Sequence, residues 1–321
     1  MALTTRLTQK LGIEHPIISA PMAFAAGGRL AAAVTAAGGF GVIGGGYGDA
    51  DWLEREFAAA GNARIGCGFI TWSLACQPQI LDAVLAHAPA AIMLSFGDPL
   101  PFSPAIKAAK ALLICQVQTM RHAREAVAAG ADIVVAQGTE AGGHGSLRAT
   151  FTLVPEVADY LAKAAPDTLL VAAGGIADGR GLAAALMLGA DGVLVGSRFW
   201  ASKEAIVPAA FQQAAVNADG DATIRTSVVD IVRNKRWPPE FTARVMKNRF
   251  VEDWHGREAD LVSPENAARE LERYTRAWQS GDIENTGLFV GEAAALIHDV
   301  QPAGDIIRTI VAQAEHTLAR H

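Results

Sequence analysis

The sequence predicts an α/β fold, a closed (β/α)8 TIM barrel with a smaller, mostly helical appended domain. Eight short apolar runs alternate with Ala- and Leu-rich helical patterns between Pro16 and Arg198. The runs are apolar at consecutive positions, which is typical of parallel strands covered by helices on both faces. Glycines such as Gly130 and Gly189 end helical patterns just before the next run. Eight such strand-helix units are the number that closes a barrel.

The predicted strands follow one another along the chain. They are PIISA from Pro16, FGVIG from Phe40, RIGCGFI from Arg64, AIMLSF from Ala91, ALLICQV from Ala111, DIVVAQG from Asp132, LLVAAGG from Leu169 and GVLVGSR from Gly192. The longest interval between strands runs from Asp132 to Leu169, so the loop after the sixth strand, GTEAGGHGSLRAT, is enlarged. Because the loops after the strands form the active-site face of such a barrel, we expect chemistry in this loop.

The chain continues beyond the eighth strand for longer than a final helix requires. The stretch from Ala205 to Leu288 is richer in charge and tryptophan and contains Pro238-Pro239. We predict that residues 205–288 form a mostly helical appendage near the active-site mouth. Residues 1–204 and 289–321 are assigned to the barrel, with the Ala- and Ile-rich C-terminal stretch returning as a helix that completes it.

Composition restricts the class of protein. The 321 residues are 51% hydrophobic and 19% charged, against about 25% charged in an average protein, so a large core is available and disorder is excluded. The net charge of −6 without long single-sign runs argues against nucleic acid or an anionic membrane as the main partner. A small-molecule substrate is expected. The low charge fraction also leaves a homo-oligomer open.

The N-terminus and the cysteines predict a cytoplasmic location. Lys10, Glu14 and His15 interrupt any secretory apolar segment. The uncharged stretch from Leu30 to Gly48 is divided by glycines and is predicted as a helix followed by a strand rather than a membrane span. Three cysteines, Cys67, Cys76 and Cys115, lack the number and spacing of a disulfide framework or a zinc site. Cys67 and Cys115 are expected to pack inside strands as small apolar groups.

Several common site motifs are absent or out of place. Gly39, Gly41 and Gly44 match GxGxxG, but they precede and enter a strand rather than open a helix, so close packing is preferred over dinucleotide binding. The sequence has no GxxxxGK[ST] and no GxSxG. None of the eight histidines pairs at HxxxH or HxH spacing, so no metal site is predicted.

Two glycine-rich strand ends suit a phosphate group. The seventh strand ends in Ala173-Gly174-Gly175 before ADGRG opens a helix, and the eighth ends in Gly196-Ser197. Barrels often bind phosphate with the loops after these two strands, using backbone N–H groups and a helix N-terminus. Tight turns alone are the alternative interpretation.

His144 is the candidate catalytic residue. It lies between glycines in the enlarged sixth loop, and with an ordinary pKa of about 6.5 it can serve as a general base. Glu140 either orients it or is a solvated loop carboxylate. The cluster from Arg233 to Trp237, which includes Lys235 and Arg236, either contacts an anionic ligand or forms an exposed helix end. The other histidines singled out are expected to be structural: His15, His87, His122, His255 and His298.

Six segments together resemble the nitronate monooxygenase family, formerly called 2-nitropropane dioxygenases. They are PIISAPM, GGFGVIGGG, QVQT, GTEAGGHG, AAGGIADGRG and GADGVLVGSRF, in this order. Similar motifs occur in flavin-dependent enoyl-acyl-carrier-protein reductases. The resemblance therefore supports descent from FMN-binding barrels more strongly than it supports any one substrate. The segment RTSVVDIVRNKRWPPEFTARVMKNRFVEDWHGRE is more similar to the nitronate monooxygenases.

The resemblance implies FMN as cofactor and assigns its neighbours by position. Ala20, Pro21 and Met22 would line the flavin ring, and Gln116 would reach its polar edge. The remaining implied cofactor residues are Gln137, Gly142 and Gly143 beside the flavin, and Ala173, Gly174, Gly175, Gly196 and Ser197 at the phosphate.

The implied activity is oxidation of alkyl nitronates, or of nitroalkanes deprotonated by His144, by oxygen to a carbonyl compound and nitrite. Gly68, where many relatives have asparagine, and Glu292, where many have glutamine, depart from the pattern. An unpaired carboxylate at Glu292 would disfavour an anionic nitronate. Two alternatives remain: an NAD(P)H-dependent flavin reductase acting on an enoyl thioester or a quinone, and a barrel that binds a phosphorylated ligand without turnover.

Overall fold

The computed structural model describes residues 3–320. In chain order its strands are β1 (Ile17–Ser19), β2 (Val42–Gly46), β3 (Gly66–Ile70), β4 (Ala91–Ser95), β5 (Leu112–Val117), β6 (Ile133–Gln137), β7 (Gly143–Gly145), β8 (Leu169–Ala173), β9 (Gly192–Val195), β10 (Thr223–Thr226) and β11 (Thr242–Met246).

Helices separate most of these strands, and short 3-10 helices lie at Gly220–Ala222 and Glu292–Leu296. The α-helices are α1 (Arg6–Leu11), α2 (Gly28–Ala36), α3 (Ala50–Ala60), α4 (Thr71–Leu74), α5 (Gln79–Leu85), α6 (Ser103–Ala108), α7 (Met120–Ala128), α8 (Thr150–Ala164), α9 (Gly179–Met187), α10 (Ser197–Trp200), α11 (Ala209–Val216), α12 (Val228–Val232), α13 (Arg249–Trp254), α14 (Glu258–Leu261), α15 (Pro264–Ser280) and α16 (Ala303–Leu318).

The predicted barrel is confirmed, and each of the eight apolar runs forms one of its parallel strands. The neighbours around the sheet are β1-β9-β8-β6-β5-β4-β3-β2. Phe40 bridges the two ends of this order, because its carbonyl accepts from Ser19 N at 3.0 Å and its N–H donates to the Ile17 carbonyl at 2.9 Å. All eight strands therefore present their carboxyl ends at one mouth.

Two apolar layers hold the barrel together. Side chains that point inward, including Met93 and Val171, fill the interior, where Leu7 and Leu11 of α1 join them. Side chains that point outward pack against the surrounding helices. Cys67 and Cys115 belong to this outer layer, as the sequence predicts, and burial raises the pKa of the Cys115 thiol to about 12. Burial likewise raises the pKa of the Cys67 thiol.

Gly41 of the GxGxxG match lets a helix pack closely against a strand. A Cβ on Gly41 would lie 1.9 Å from the Ala31 carbonyl oxygen of α2, so α2 crosses β2 at a distance that only glycine permits. The stretch from Leu30 to Gly48 thus forms most of α2 and all of β2. No helix within residues 3–320 is long and apolar enough to cross a membrane.

The C-terminal helix α16 packs between α9 and α2 and completes the ring of helices. Its contact with α9 is close, because a Cβ on Gly179 would lie 2.3 Å from Ala314 N. On the other side, Ile307 reaches the β2 entrance, 3.2 Å from a Cβ built on Gly39.

The stretch from Ala205 to Leu288 contains α11 to α15 and two strands that the helical prediction lacks. β10 and β11 pair antiparallel, and β11 also pairs with β7 inside the enlarged sixth loop. In this small sheet Ala243 lies opposite His144. The sixth loop is therefore tied to the appendage by backbone hydrogen bonds. These bonds form between strands distant in sequence, and Gly-His-Gly carries no strand preference of its own.

Candidate active site

His144 lies at the barrel mouth and pairs with a carboxylate. Its Nε2 is 2.8 Å from Oδ2 of Asp230 on α12, and the two side chains are only 9% and 5% exposed. The other oxygen of Asp230 accepts from Arg233 Nη2 at 2.8 Å. Arg233 Nε also donates to the Val229 carbonyl at 2.7 Å, so the guanidinium is fixed at the end of α12. The sequence singled out His144 but missed Asp230, its partner.

Aromatic side chains enclose the imidazole. Trp237 stacks on it with ring centroids 3.4 Å apart and planes within 5°. Trp237 Nε1 donates to the hydroxyl of Tyr47, 3.1 Å away. Phe96, which directly follows β4, packs edge-on against both His144 and Trp237 and holds a left-handed φ of 65°. Such a conformation is rare for a bulky residue, and strained backbone of this kind clusters at active sites.

The basic cluster after α12 forms part of the candidate site, which leaves contact with an anionic ligand open. Arg233 pairs with Asp230, and Trp237 covers His144. Lys235 Nζ lies over the Tyr47 ring, 4.4 Å from its centre. The cluster contributes to the wall of the site rather than forming only an exposed helix end.

Burial dominates the electrostatics of His144. Loss of solvent lowers its pKa below the ordinary 6.5, hydrogen bonding to Asp230 opposes this, and the charges of Arg233 and Arg225 lower the pKa further. Burial disfavours the charged imidazolium more than Asp230 favours it. Burial therefore favours the neutral ring, which is the form that can accept a proton.

A cluster of three glutamine amides lies below this loop. Gln137 Oε1 accepts from Gln116 Nε2 at 3.1 Å and from Gln118 Nε2 at 3.0 Å, and Gln137 Nε2 donates to the His144 carbonyl at 3.1 Å. The structure thus brings the two predicted glutamines together and links them to the predicted base. Gln118, buried at 1% exposure, was not predicted, although it lies in the QVQT segment.

Two arginines from the small sheet anchor the start of the sixth loop. Arg225 Nη2 and Arg244 Nε donate to the Thr139 carbonyl at 3.0 and 2.9 Å, and Arg225 Nε donates to Thr139 Oγ1 at 2.9 Å. Burial, followed by the neighbouring charge of Arg244, lowers the pKa of Arg225 to about 10. Arg244 also pairs with Glu292 at 2.9 Å. The carboxylate that departs from the family pattern is therefore neutralised.

Glu140 neither orients His144 nor stands as a solvated carboxylate. Its Oε1 accepts from Thr150 N at 3.0 Å, and Thr150 Oγ1 donates to Oε2 at 2.8 Å. It thus caps the N-terminus of α8, whose own N-cap residue, Ala149, has no side-chain acceptor. This connection fixes the sixth loop to the helix that follows it.

The segment from Ala20 to Met22 and the residues assigned to the phosphate lie around the carboxyl ends of three adjacent strands, β1, β9 and β8. Gly174 and Gly175 hold φ of 101° and 75°, which favour glycine. A Cβ on Gly196 would meet only the Ala20 Cβ, at 3.6 Å, so the space beside Ala20 is open. Ser197 Oγ accepts from Gly291 N at 2.9 Å, which leaves its hydroxyl hydrogen free to donate.

The remaining predicted residues take up positions along the same mouth. Ala173 ends β8, and Gly142 packs against the Gly291 backbone, where a Cβ would lie 2.5 Å from Gly291 N. Gly143 has a φ of 73° and open space around its Cβ position. Over the described range 3–320, no group of three or more His, Cys, Asp or Glu side chains could hold a metal ion.

The N-terminus of α9, the helix after the seventh barrel strand, is capped within the protein. Asp178 caps α9 by accepting from Arg180 N at 3.0 Å and Gly181 N at 3.2 Å. Gly179 N donates to Gln313 Oε1 at 3.0 Å. These N–H groups are already hydrogen-bonded within the protein. The glycine-rich ends of β8 and β9 are therefore the candidate positions for a phosphate.

Gly68 packs directly against Pro21 of the predicted flavin-lining segment. A Cβ there would lie 2.4 Å from Pro21 Cβ and 2.5 Å from Pro21 Cγ. We expect Gly68→Asn to lower the free energy of unfolding by about 1–3 kcal/mol, because overpacking displaces Pro21. Urea denaturation measures this. Gly12→Asn is the control, since Gly12 is a left-handed helix cap with open space that asparagine tolerates. Equal stability of the two variants would contradict the packing argument.

A known protein family matches almost the whole of this chain. The family model described as nitronate monooxygenase matches residues 4–64 and 70–313. The chain belongs to the nitronate monooxygenase family. Gly68 falls in the short interval between the two matched stretches. Membership identifies the protein as an oxidoreductase of a family that is flavin-dependent in general, as the resemblance implied, and supports oxidation of nitronates.

Individual proteins of known name are similar to this chain over almost its whole length. The nitronate monooxygenase of Neurospora crassa is 33% identical over 95% of this chain and 90% of its own length. FabK from Thermotoga maritima superposes with a TM-score of 0.85 at 31% identity, covering 99% of this chain and 98% of that one. The nitroalkane oxidase of Streptomyces ansochromogenes gives a TM-score of 0.78 at 26% identity, covering 96% and 98%.

Proposed function

We propose that this family member is an FMN-dependent nitronate monooxygenase, which oxidises alkyl nitronates and neutral nitroalkanes with oxygen to a carbonyl compound and nitrite. Family membership supports the reaction class, and the names of the Neurospora and Streptomyces relatives support nitronates and nitroalkanes as substrates. The observation that carries the proposal is the buried His144–Asp230 pair beside the three-glutamine cluster. A small carbon acid at this mouth would have a neutral base available.

The residues at the mouth fit an FMN. Gly174, Gly175, Gly196 and Ser197 would hold its phosphate, since close approach of backbone and a free hydroxyl suit an anion. The segment from Ala20 to Met22 would contact the ring, and the amides of the glutamine cluster would bind its polar edge. When bound there, FMN supplies the electron transfer between substrate and oxygen.

The protein itself would perform the proton chemistry. His144 takes the α-proton of a neutral nitroalkane, so the C–H bond breaks and its electron pair moves onto the nitro group to give the nitronate. The enclosing aromatic rings exclude water from the imidazole. Lys235, over Tyr47, and Arg233 supply positive charge near the nitronate, and the pairing of Glu292 with Arg244 removes the expected repulsion.

The pH dependence of turnover tests this proposal. Because burial lowers the pKa of His144 below 6.5, kcat/KM for a neutral nitroalkane should be constant near neutral pH and fall on the acid side with an apparent pKa below 6.5. A preformed nitronate requires no proton removal, so its kcat/KM should lack this acid limb. Steady-state oxygen consumption with both substrates measures the two profiles. An acid limb shared by both substrates would contradict the role of His144.

A further inference from the structure

We infer that Asp230, held by Arg233, fixes the tautomer of His144 and makes Nδ1 the atom that accepts the substrate proton. This inference rests on the proposed function and deepens it. A carboxylate that already binds an arginine acts as a hydrogen-bond acceptor only, so Nε2, 2.8 Å from Oδ2, must carry the hydrogen. In a neutral imidazole the unprotonated nitrogen is then Nδ1.

The carboxylate is rigidly placed for this role. Asp230 lies within α12, and its two oxygens are divided between His144 and Arg233. Arg233 is itself fixed by the Val229 carbonyl and packs on the Phe289 ring, 4.9 Å from its centre. A carboxylate with so little freedom sets the orientation of the imidazole as well as its electrostatic environment.

The stacked indole fixes the plane of the same ring. Trp237 lies parallel to the imidazole, so rotation about the ring normal is limited by Asp230 and tilting is limited by the indole. After proton transfer the imidazolium would lie between a carboxylate and an indole face, both of which favour a cation. The charged groups that face His144 are Asp230 and Arg233 from α12 and its end, and Arg225 from β10.

Asp230 is therefore a positioning residue, and Asp230→Asn tests it in the flavin-loaded protein. The asparagine amide can donate to Nε2, which favours the Nδ1–H tautomer and removes the acceptor. We expect kcat/KM for a neutral nitroalkane to fall by about 10²- to 10⁴-fold, the usual contribution of a positioned general base. The apparent pKa of the acid limb should also decrease, because a negative charge is lost. Turnover of a preformed nitronate should change by less than about threefold.

The matched control is Asp49→Asn, which replaces the N-cap of α3 by an equally good cap and should behave as the wild type. Wild-type kcat/KM and pH profile in Asp230→Asn would overturn the inference. An equal loss on nitroalkane and nitronate would also overturn it, since that outcome indicates a merely structural role.

Nitrogen NMR tests the tautomer without any turnover. In protein labelled with 15N-histidine, the His144 signals, identified by their absence in His144→Ala, should show a protonated Nε2 and an unprotonated Nδ1 at pH 7. Asp230→Asn should increase the Nδ1–H form. A wild-type His144 protonated at Nδ1 would overturn the inference. If the wild type oxidises no nitronate, the proposed function fails while this measurement still decides the role of Asp230.

Discussion

Replacing His144 with alanine is expected to leave the flavin bound and to lower kcat/KM for a neutral nitroalkane by about 10²- to 10⁴-fold. The imidazole contacts Asp230 and the aromatic rings, whereas its link to the glutamine cluster is through the backbone carbonyl, which alanine retains. Turnover of a preformed nitronate should fall much less. Absorbance of the purified variant measures flavin content, and oxygen consumption measures both activities.

The control for this variant is His87→Ala. His87 stacks on Phe57 and pairs with Glu54 on the outer helices, away from the barrel mouth, so its removal should leave both activities unchanged. An equal loss of nitroalkane and nitronate turnover in His144→Ala would contradict the base assignment.

Replacing Gly196 with alanine is expected to weaken flavin binding while preserving the fold. Its φ of −104° is accessible to alanine, and the new methyl group would meet only Ala20, at 3.6 Å. The methyl group would instead occupy the open space where the proposed FMN phosphate approaches. Overpacking of about 1–3 kcal/mol corresponds to a flavin dissociation constant raised about 5- to 150-fold. Equilibrium dialysis against FMN measures it.

Gly304→Ala provides the matched change outside the site. Its Cβ would have ordinary contacts, 3.4 Å from Arg308 and 3.5 Å from Ala37, so flavin affinity should equal that of the wild type. Unfolding midpoints close to the wild type in both variants would show that the fold is intact. Unchanged flavin affinity in Gly196→Ala would contradict the proposed phosphate position.

The barrel could be predicted from sequence because its signal is local. A run such as DIVVAQG is apolar at consecutive positions, since β6 is buried on both faces, and the following GTEAGGHG marks an unusually long loop. His144 was found for the same reason, because two flanking glycines leave a histidine no local packing role. The phosphate position was predicted from the glycine-rich ends of the seventh and eighth strands, since barrel geometry places all strand ends at one mouth. The flavin-lining segment and the two glutamines were predicted from the family resemblance.

The remaining features of the site depend on contacts between segments that are distant in sequence. Asp230 is 86 residues from His144 in sequence, and nothing in VVDIV distinguishes it from a surface aspartate. Trp237 acquires its place only when β11 pairs with β7 and brings the preceding segment over the imidazole. Glu140 lies four residues before His144 but bonds to Thr150, so proximity in sequence suggested the wrong partner.

An anaerobic titration of the purified protein with a small alkyl nitronate tests whether a bound flavin takes electrons from nitronates. If the protein is a nitronate monooxygenase, the absorption bands of oxidised flavin decrease as nitronate is added, and air restores them with release of nitrite. Bands that stay unchanged with nitronate would contradict it. If NADH or NADPH alone then bleached the flavin, the protein would be the flavin reductase that the sequence left open.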